Sequence, residues 1–127
     1  MRKSLLSDCL ALAKAKLCKH KDTFKHFSFV IQDNKILGYG FNKATLYVNH
    51  VHGYPKHSKI HSEISALRRS RVLKTKRKWS MVNVRLSPMG ITLKCAPCDF
   101  CFNYLKLLGC SEVWYYDEHA YMERMKL

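Results

Sequence analysis

The sequence predicts an α/β fold in which helices sandwich one sheet. Helix-period and strand-like hydrophobic patterns alternate along the chain. Turn residues punctuate them, with no internal repeat and no Pro/Gly/Ser-rich linker. The 127 residues fit one domain, 1–127, and a chain of this size buries about two thirds of its unfolded surface without needing disulfides. A hydrophobic content of 47% argues against disorder. No apolar run approaches the roughly 18 residues of a membrane span.

Ser4 to Cys18 places Leu6, Cys9, Leu10, Ala13 and Leu17 on one helical stripe, with Lys14, Lys16 and Lys19 outside it. Arg2, Lys3 and the following leucines resemble the start of a secretion signal. Ser7 and Asp8 interrupt that run, so an amphipathic helix and a cytoplasmic protein are expected. His26 to Gln32 reads as a strand. Asp33-Asn34 is a two-residue turn, since both residues tolerate positive φ, and Lys35 to Phe41 is the partner strand. Asn42 to Lys59 reads as a long loop, a length usually tied to function. Ile60 to Leu73 reads as a helix with Ile60, Ile64, Leu67 and Leu73 roughly on one face. Met81 to Leu86 is a strand, with a turn at Pro88-Met89-Gly90 into Ile91 to Lys94. Cys98 to Leu108 is a helix, with Pro97 suited to its first turn and Gly109 to its C-terminal cap. Glu112 to Tyr116 is a strand, and His119 to Lys126 reads as a short closing helix.

The net charge of +14 is unevenly distributed. Asn34 to Cys98 holds thirteen Lys/Arg and one acid, Glu63, whereas Asp99 to Leu127 holds five acids and three bases. The densest run is Arg68, Arg69, Arg71, Lys74, Lys76, Arg77 and Lys78. Such a run is either a solvated surface or a phosphate-facing patch. The whole-chain imbalance favours nucleic acid or a phosphorylated substrate.

Pro97-Cys98-Asp99-Phe100-Cys101 opens a helix. Cys98 and Cys101 lie three apart on one face, and a helix start favours thiolate. Alone, this pair fits a redox site or a metal site. His61-Ser62-Glu63 opens the preceding helix and is alone a weak signal. One His and two Cys together supply three zinc ligands and leave a fourth position for water, the arrangement of catalytic zinc. Zinc lowers the pKa of bound water toward 7. Glu63, which would not bind the metal, would handle the proton.

These two motifs together resemble the zinc-dependent cytidine, deoxycytidylate and nucleic-acid deaminases, including those of tRNA adenosine. Gly38-Tyr39-Gly40-Phe41-Asn42 resembles that family's second strand and its substrate-contacting Asn. Tyr104 through Gly109 to Tyr116 resembles its third helix and fourth strand. The resemblance implies a three-layer α/β/α sandwich around one mixed sheet. It also implies one Zn2+ per chain on His61, Cys98 and Cys101, with Glu63 as proton shuttle. Asn42 would contact the sugar or base edge, the Ser62 amide a ring carbonyl, and the Pro97 carbonyl the leaving amine.

Three features depart from the family. Ser62 stands where Ala is frequent, the fifth strand is missing or replaced by the closing helix, and Ile91 to Lys94 suggests that the third strand is extended into a hairpin.

Cys9, Cys18 and Cys110 read as small buried hydrophobes, and Cys95 as a bystander. His50, His52 and His57 crowd the long loop, where a polar gating loop or a solvated one is favoured over a second metal site. Trp114, Tyr115 and Tyr116 fit base stacking or core packing, with packing the default for Trp114. Phe24, Phe27 and Phe29 are core candidates.

The expected function is zinc-dependent hydrolytic deamination of cytosine, in single-stranded DNA or RNA or in a (deoxy)cytidine nucleotide, by a homodimer. The alternatives are a tRNA-type adenosine deaminase, an inactive zinc-stabilised nucleic-acid-binding protein, and a redox protein.

Overall fold

The computed structural model describes residues 3–17, 25–41, 62–70, 77–94, 96–97, 99–117, 119 and 121–127, with the backbone alone for Lys25, Arg68, Arg69, Asp99 and Phe100. Helix α1 (Lys3–Leu17) is followed by strands β1 (Lys25–Gln32) and β2 (Lys35–Phe41). Helix α2 (Ser62–Arg69), strands β3 (Trp79–Leu86) and β4 (Thr92–Leu93), helix α3 (Asp99–Leu107) and strands β5 (Cys110–Tyr116) and β6 (Met122–Lys126) complete the order. The sheet runs β2-β1-β3-β5-β6, with β4 paired to β3. It is mixed: β3 and β5 are parallel, and the other pairs are antiparallel.

The β1–β2 hairpin turns at Asp33 and Asn34, whose φ of 53° and 59° are those of a two-residue primed turn. Gly109 follows α3 with φ 94°, the left-handed cap that only glycine adopts without strain.

Side-chain alternation divides the sheet into two faces. Phe27, Phe29 and Ile31 of β1 and Val82, Val84 and Leu86 of β3 meet α1 through Leu5, Leu6, Cys9, Ala13 and Leu17. Burying each of these leucines contributes about 1.5–3 kcal/mol. The Tyr116 hydroxyl donates to the Leu6 carbonyl at 3.0 Å, tying α1 to β5. On the other face Val30, Met81 and Val113 pack against Ala66 and Leu67 of α2 and Leu105 of α3. The three layers expected from the sequence are present. Among the described residues, no helix is long and apolar enough to cross a membrane.

The C-terminal segment differs from expectation. Residues 122–126 form a strand, not the last turns of a helix, and β6 pairs antiparallel with β5 from Glu112↔Lys126 to Tyr116↔Met122. Ala, Met, Glu, Arg and Lys favour helix locally, but β5 would otherwise leave an unpaired edge. Asp117 reverses the chain: its Oδ1 accepts from the amides of His119 (2.8 Å) and Tyr121 (2.9 Å). A strand therefore closes the sheet where the sequence suggested one missing or replaced by a helix. By contrast, the turn into Ile91 to Lys94 is the expected hairpin, with Arg85↔Leu93 and Leu86↔Thr92 as partners.

Trp114 is half-buried against the α1-side cluster. Its Nε1 donates to Glu112 Oε1 at 2.8 Å, and the Arg124 guanidinium sits 5.6 Å from the ring centroid. The ring is thus engaged in packing.

Helix α2 approaches β2 very closely. A Cβ on Gly40 would overlap the Ala66 amide nitrogen and come within 2.5 Å of the Ser65 carbonyl carbon. Gly40→Ala is expected to destabilise the fold by about 3 kcal/mol or more, because the obstruction is backbone and cannot rotate away. Urea unfolding of the variant checks this.

Burial pushes the thiols of Cys9 and Cys110 up to about 12. At pH 8 about one thiol in ten thousand would be ionised, against about a quarter at the ordinary pKa of about 8.5. Iodoacetamide should therefore leave both unlabelled in the native chain and label them on unfolding, as peptide mass mapping would record.

Candidate functional site

β1 lies antiparallel between β2 and β3, and β5 is parallel to β3. The carboxyl ends of β2, β3 and β5 therefore share one edge, where open α/β sheets bind ligands. The start of α2 is held above this region by the contact at Gly40. α3 follows β3 and β4 before the chain returns as β5, so its start lies at the same edge.

One cross-strand row lies under the start of α2. Gly40 pairs with Ser28, Ser28 with Asn83, Asn83 with Tyr115, and Tyr115 with Glu123. Ser28 and Asn83 share the face of Val30 and Met81, so polar side chains there interrupt an otherwise apolar surface. Gly40 leaves room in the row for the helix backbone.

Glu63 lies in the first turn of α2, where the helix dipole favours negative charge. It is only 5% exposed. Its Oε1 accepts from Ser62 Oγ at 3.0 Å, Ser62 Oγ lies 2.8 Å from Ser28 Oγ, and Ser28 Oγ lies 2.6 Å from Asn83 Oδ1. A hydrogen-bonded path thus runs from the middle of β3 to the buried carboxylate. Burying a carboxylate costs several kcal/mol without such partners, and this path places donors beneath it.

Ser62 and Glu63, neighbours in sequence, are both buried at this edge. Cys101 is fully buried in the first turn of α3, and Pro97 is half-buried two residues before that helix. His61, Cys98 and Asn42 lie outside the described residues, so among those described no three potential ligands form a metal-holding group. Cys18, Cys95, Phe24 and the histidines at 50, 52 and 57 also lie outside.

Of the basic run, Arg68 and Arg69 continue α2, while Arg71, Lys74 and Lys76 lie outside the described residues. Arg77 and Lys78 are exposed just before β3, at the sheet end away from Glu63. Arg77 pairs there with Asp33 of the β1–β2 turn at 2.6 Å.

Ser28, Asn83 and Tyr115 join the site without having been singled out in it from the sequence. A signal for the first two exists: Phe27-Ser28-Phe29 and Val82-Asn83-Val84 set a polar residue among apolar ones in strands covered on both faces. In such strands an inward polar residue needs a partner.

Known structures share this architecture. The dCMP deaminase of the cyanophage S-TIM5, in complex with dCMP and dUMP, superposes with a TM-score of 0.61 at 16% identity, covering 92% of this chain and 84% of that one. This chain has the cytidine deaminase-like fold. The same fold relates it to the cytidine deaminase of Mycobacterium leprae (TM-score 0.58, 13% identity, 93% and 91% covered). The cytidine deaminase of Burkholderia pseudomallei also matches (0.57, 16%, 99% and 93%). No protein-family model matches the sequence, and no curated protein matches it. The likeness thus rests on backbone architecture at low identity.

Within this cytidine deaminase-like fold, the Tyr115 phenol is pushed above its usual range, first by its hydrogen bond to Glu123 and then by burial. A raised phenol contributes its stability below the unfolded pKa of about 10 and loses it as pH rises through the folded value. Ultraviolet titration should show Tyr115 ionising above an ordinary tyrosine. Glu123→Gln should bring that step down, and an unchanged step would refute the pairing.

Proposed function

We propose that the chain is a hydrolytic deaminase converting cytosine to uracil in a cytidine or deoxycytidine nucleotide. The observation that carries this reading is a carboxylate, Glu63, buried in the first turn of α2 at the ligand-binding edge of a cytidine deaminase-like fold. It is the only acid between Asn34 and Cys98.

The proposed metal set is one zinc on His61, Cys98 and Cys101. The fit rests on Cys101, a buried sulfur donor in the first turn of α3, where the helix end favours negative charge on a ligand. Bound zinc supplies a water acidified to near neutral pH.

The chain's own residues then carry the protons. Glu63 Oε1 is occupied by the Ser62 hydroxyl, which leaves Oε2 to take the proton of the attacking water. From Oε2 the proton passes to the ring nitrogen, and a second transfer sends the amine away as ammonia. One cytosine and one water give one uracil and one ammonia. The Ser62 amide and the Pro97 carbonyl are assigned to the base, and Asn42 to the sugar or base edge.

The nucleotide reading is supported by the dCMP and dUMP bound in the phage enzyme. The position of Arg77 and Lys78, at the far end of the sheet with Arg77 held by Asp33, argues against these two lining a polymer channel at Glu63. The charge of +14 favours a single-stranded DNA or RNA substrate as the second reading.

Glu63→Gln should lower the rate of ammonia release by about a hundredfold or more while one zinc per chain is retained by metal assay. Unchanged ammonia release would remove the enzyme reading. An oxidised Cys98–Cys101 pair without zinc would favour the redox alternative. Deamination of dCMP should fall only modestly between low and high salt. A polymer substrate would lose activity steeply with salt, and this contrast separates the two substrates.

A further inference from the structure

Three contacts join Asn83, Ser28, Ser62 and Glu63: 2.6 Å, 2.8 Å and 3.0 Å. All four side chains are at most 5% exposed. Each contact needs one proton, and the two hydroxyls supply only two. With Asn83 Oδ1 at one end and a carboxylate at the other, both ends accept. One contact is then left with lone pairs facing each other.

A second observation lies at the same residue. Asn83 Nδ2 is buried and has no hydrogen-bond partner among the described residues. A buried donor without a partner is destabilising, because it has given up its bond to water for nothing in return. The two ends of a carboxamide have nearly the same shape. Turning the Asn83 amide end for end places Nδ2 against Ser28, supplies the missing proton, and sets the acceptor Oδ1 where the donor had no partner. The 2.6 Å contact then lengthens by about 0.3 Å to the usual N–H···O distance.

We propose that Asn83 and Ser28 are positioning residues for Glu63. Asn83 Nδ2 donates to Ser28 Oγ, Ser28 to Ser62 Oγ, and Ser62 to Glu63 Oε1, a chain of donors pointing one way. The inference rests on the deaminase reading of Glu63 and adds what holds that carboxylate. Every link starts from β1, β3 or the first residue of α2, elements fixed by the sheet and by the contact at Gly40. The chain occupies Oε1 and leaves Oε2 for the proton transfer. Because Ser28 has one proton, it cannot donate to Ser62 while also donating to Asn83. The orientation of an amide in the middle of the sheet therefore decides whether the carboxylate is held.

Two measurements test this. Neutron diffraction from perdeuterated wild-type crystals should find deuterium on the Asn83 nitrogen facing Ser28, on Ser28 facing Ser62, and on Ser62 facing Glu63. A deuteron on Glu63 facing Ser62, or the Asn83 oxygen facing Ser28, would overturn the proposal. In kinetics, Ser28→Ala should lower kcat for the nucleotide by about ten- to hundredfold with KM within about twofold. Asn83→Leu, of similar shape, should do the same. Neither should lower activity further in a chain already carrying Glu63→Gln. An equal loss in that background, or a change in KM alone, would make these residues merely structural and refute the assignment. If the wild-type chain releases no ammonia from any cytosine substrate, the deaminase reading fails, while the diffraction result still decides the direction of the chain.

Discussion

The close approach of α2 to β2 at Gly40 is the constraint on which the site depends. There the helix backbone lies where any larger residue's Cβ would stand. This brings the first turn of α2 down onto the sheet, instead of leaving a side-chain layer between them. Only at that separation does Ser62 Oγ reach Ser28 Oγ at 2.8 Å. Glu63, the next residue, is carried under cover with it. A strand glycine usually weakens a sheet. Here the loss of a side chain provides the space the helix start occupies.

The two faces of the sheet do different work. The α1 face is apolar, with Phe27, Phe29, Val82, Val84 and Leu86 almost fully buried. It provides most of the burial that stabilises β1 and β3. The opposite face is apolar only toward the start of β3, at Trp79, Met81 and Val30. Farther along it becomes polar, at Ser28, Asn83 and Tyr115. A buried polar row raises the cost of any missing bond, because a low-dielectric surrounding penalises an unpaired group as strongly as it rewards a paired one. The rigid apolar layer behind the row keeps its atoms within bonding distance.

Electrostatics act on a larger scale. Thirteen bases surround Glu63 in the sequence between Asn34 and Cys98, which favours anionic ligands generally. The described pair Arg77–Asp33 is more than half exposed on both sides. Exposed pairs contribute about 0–1 kcal/mol, so this one pins the hairpin turn only weakly.

Local patterns reported most elements well. The apolar stripe of α1, the Asp33-Asn34 turn, the glycine after α3 and the β3–β4 hairpin all depend on near neighbours in sequence, and each is where the pattern put it. The last strand was not legible. Residues 122–126 carry good helix formers, and their state depends on the open edge of β5, a long-range partner. The site divides in the same way. Glu63 stood out by its isolation among cations. Ser28 and Asn83 are single polar residues in apolar strands, and register alone sets them opposite each other and beneath Ser62. The sequence by itself determined which residue types are available: one carboxylate, a thiol at a helix start, and a Gly-x-Gly strand. The tertiary structure alone decided that Gly40 admits α2, that Ser28 and Asn83 lie under its first turn, and that β6 closes the sheet. These outcomes require strands far apart in the chain to pair in one register, and no local preference encodes that.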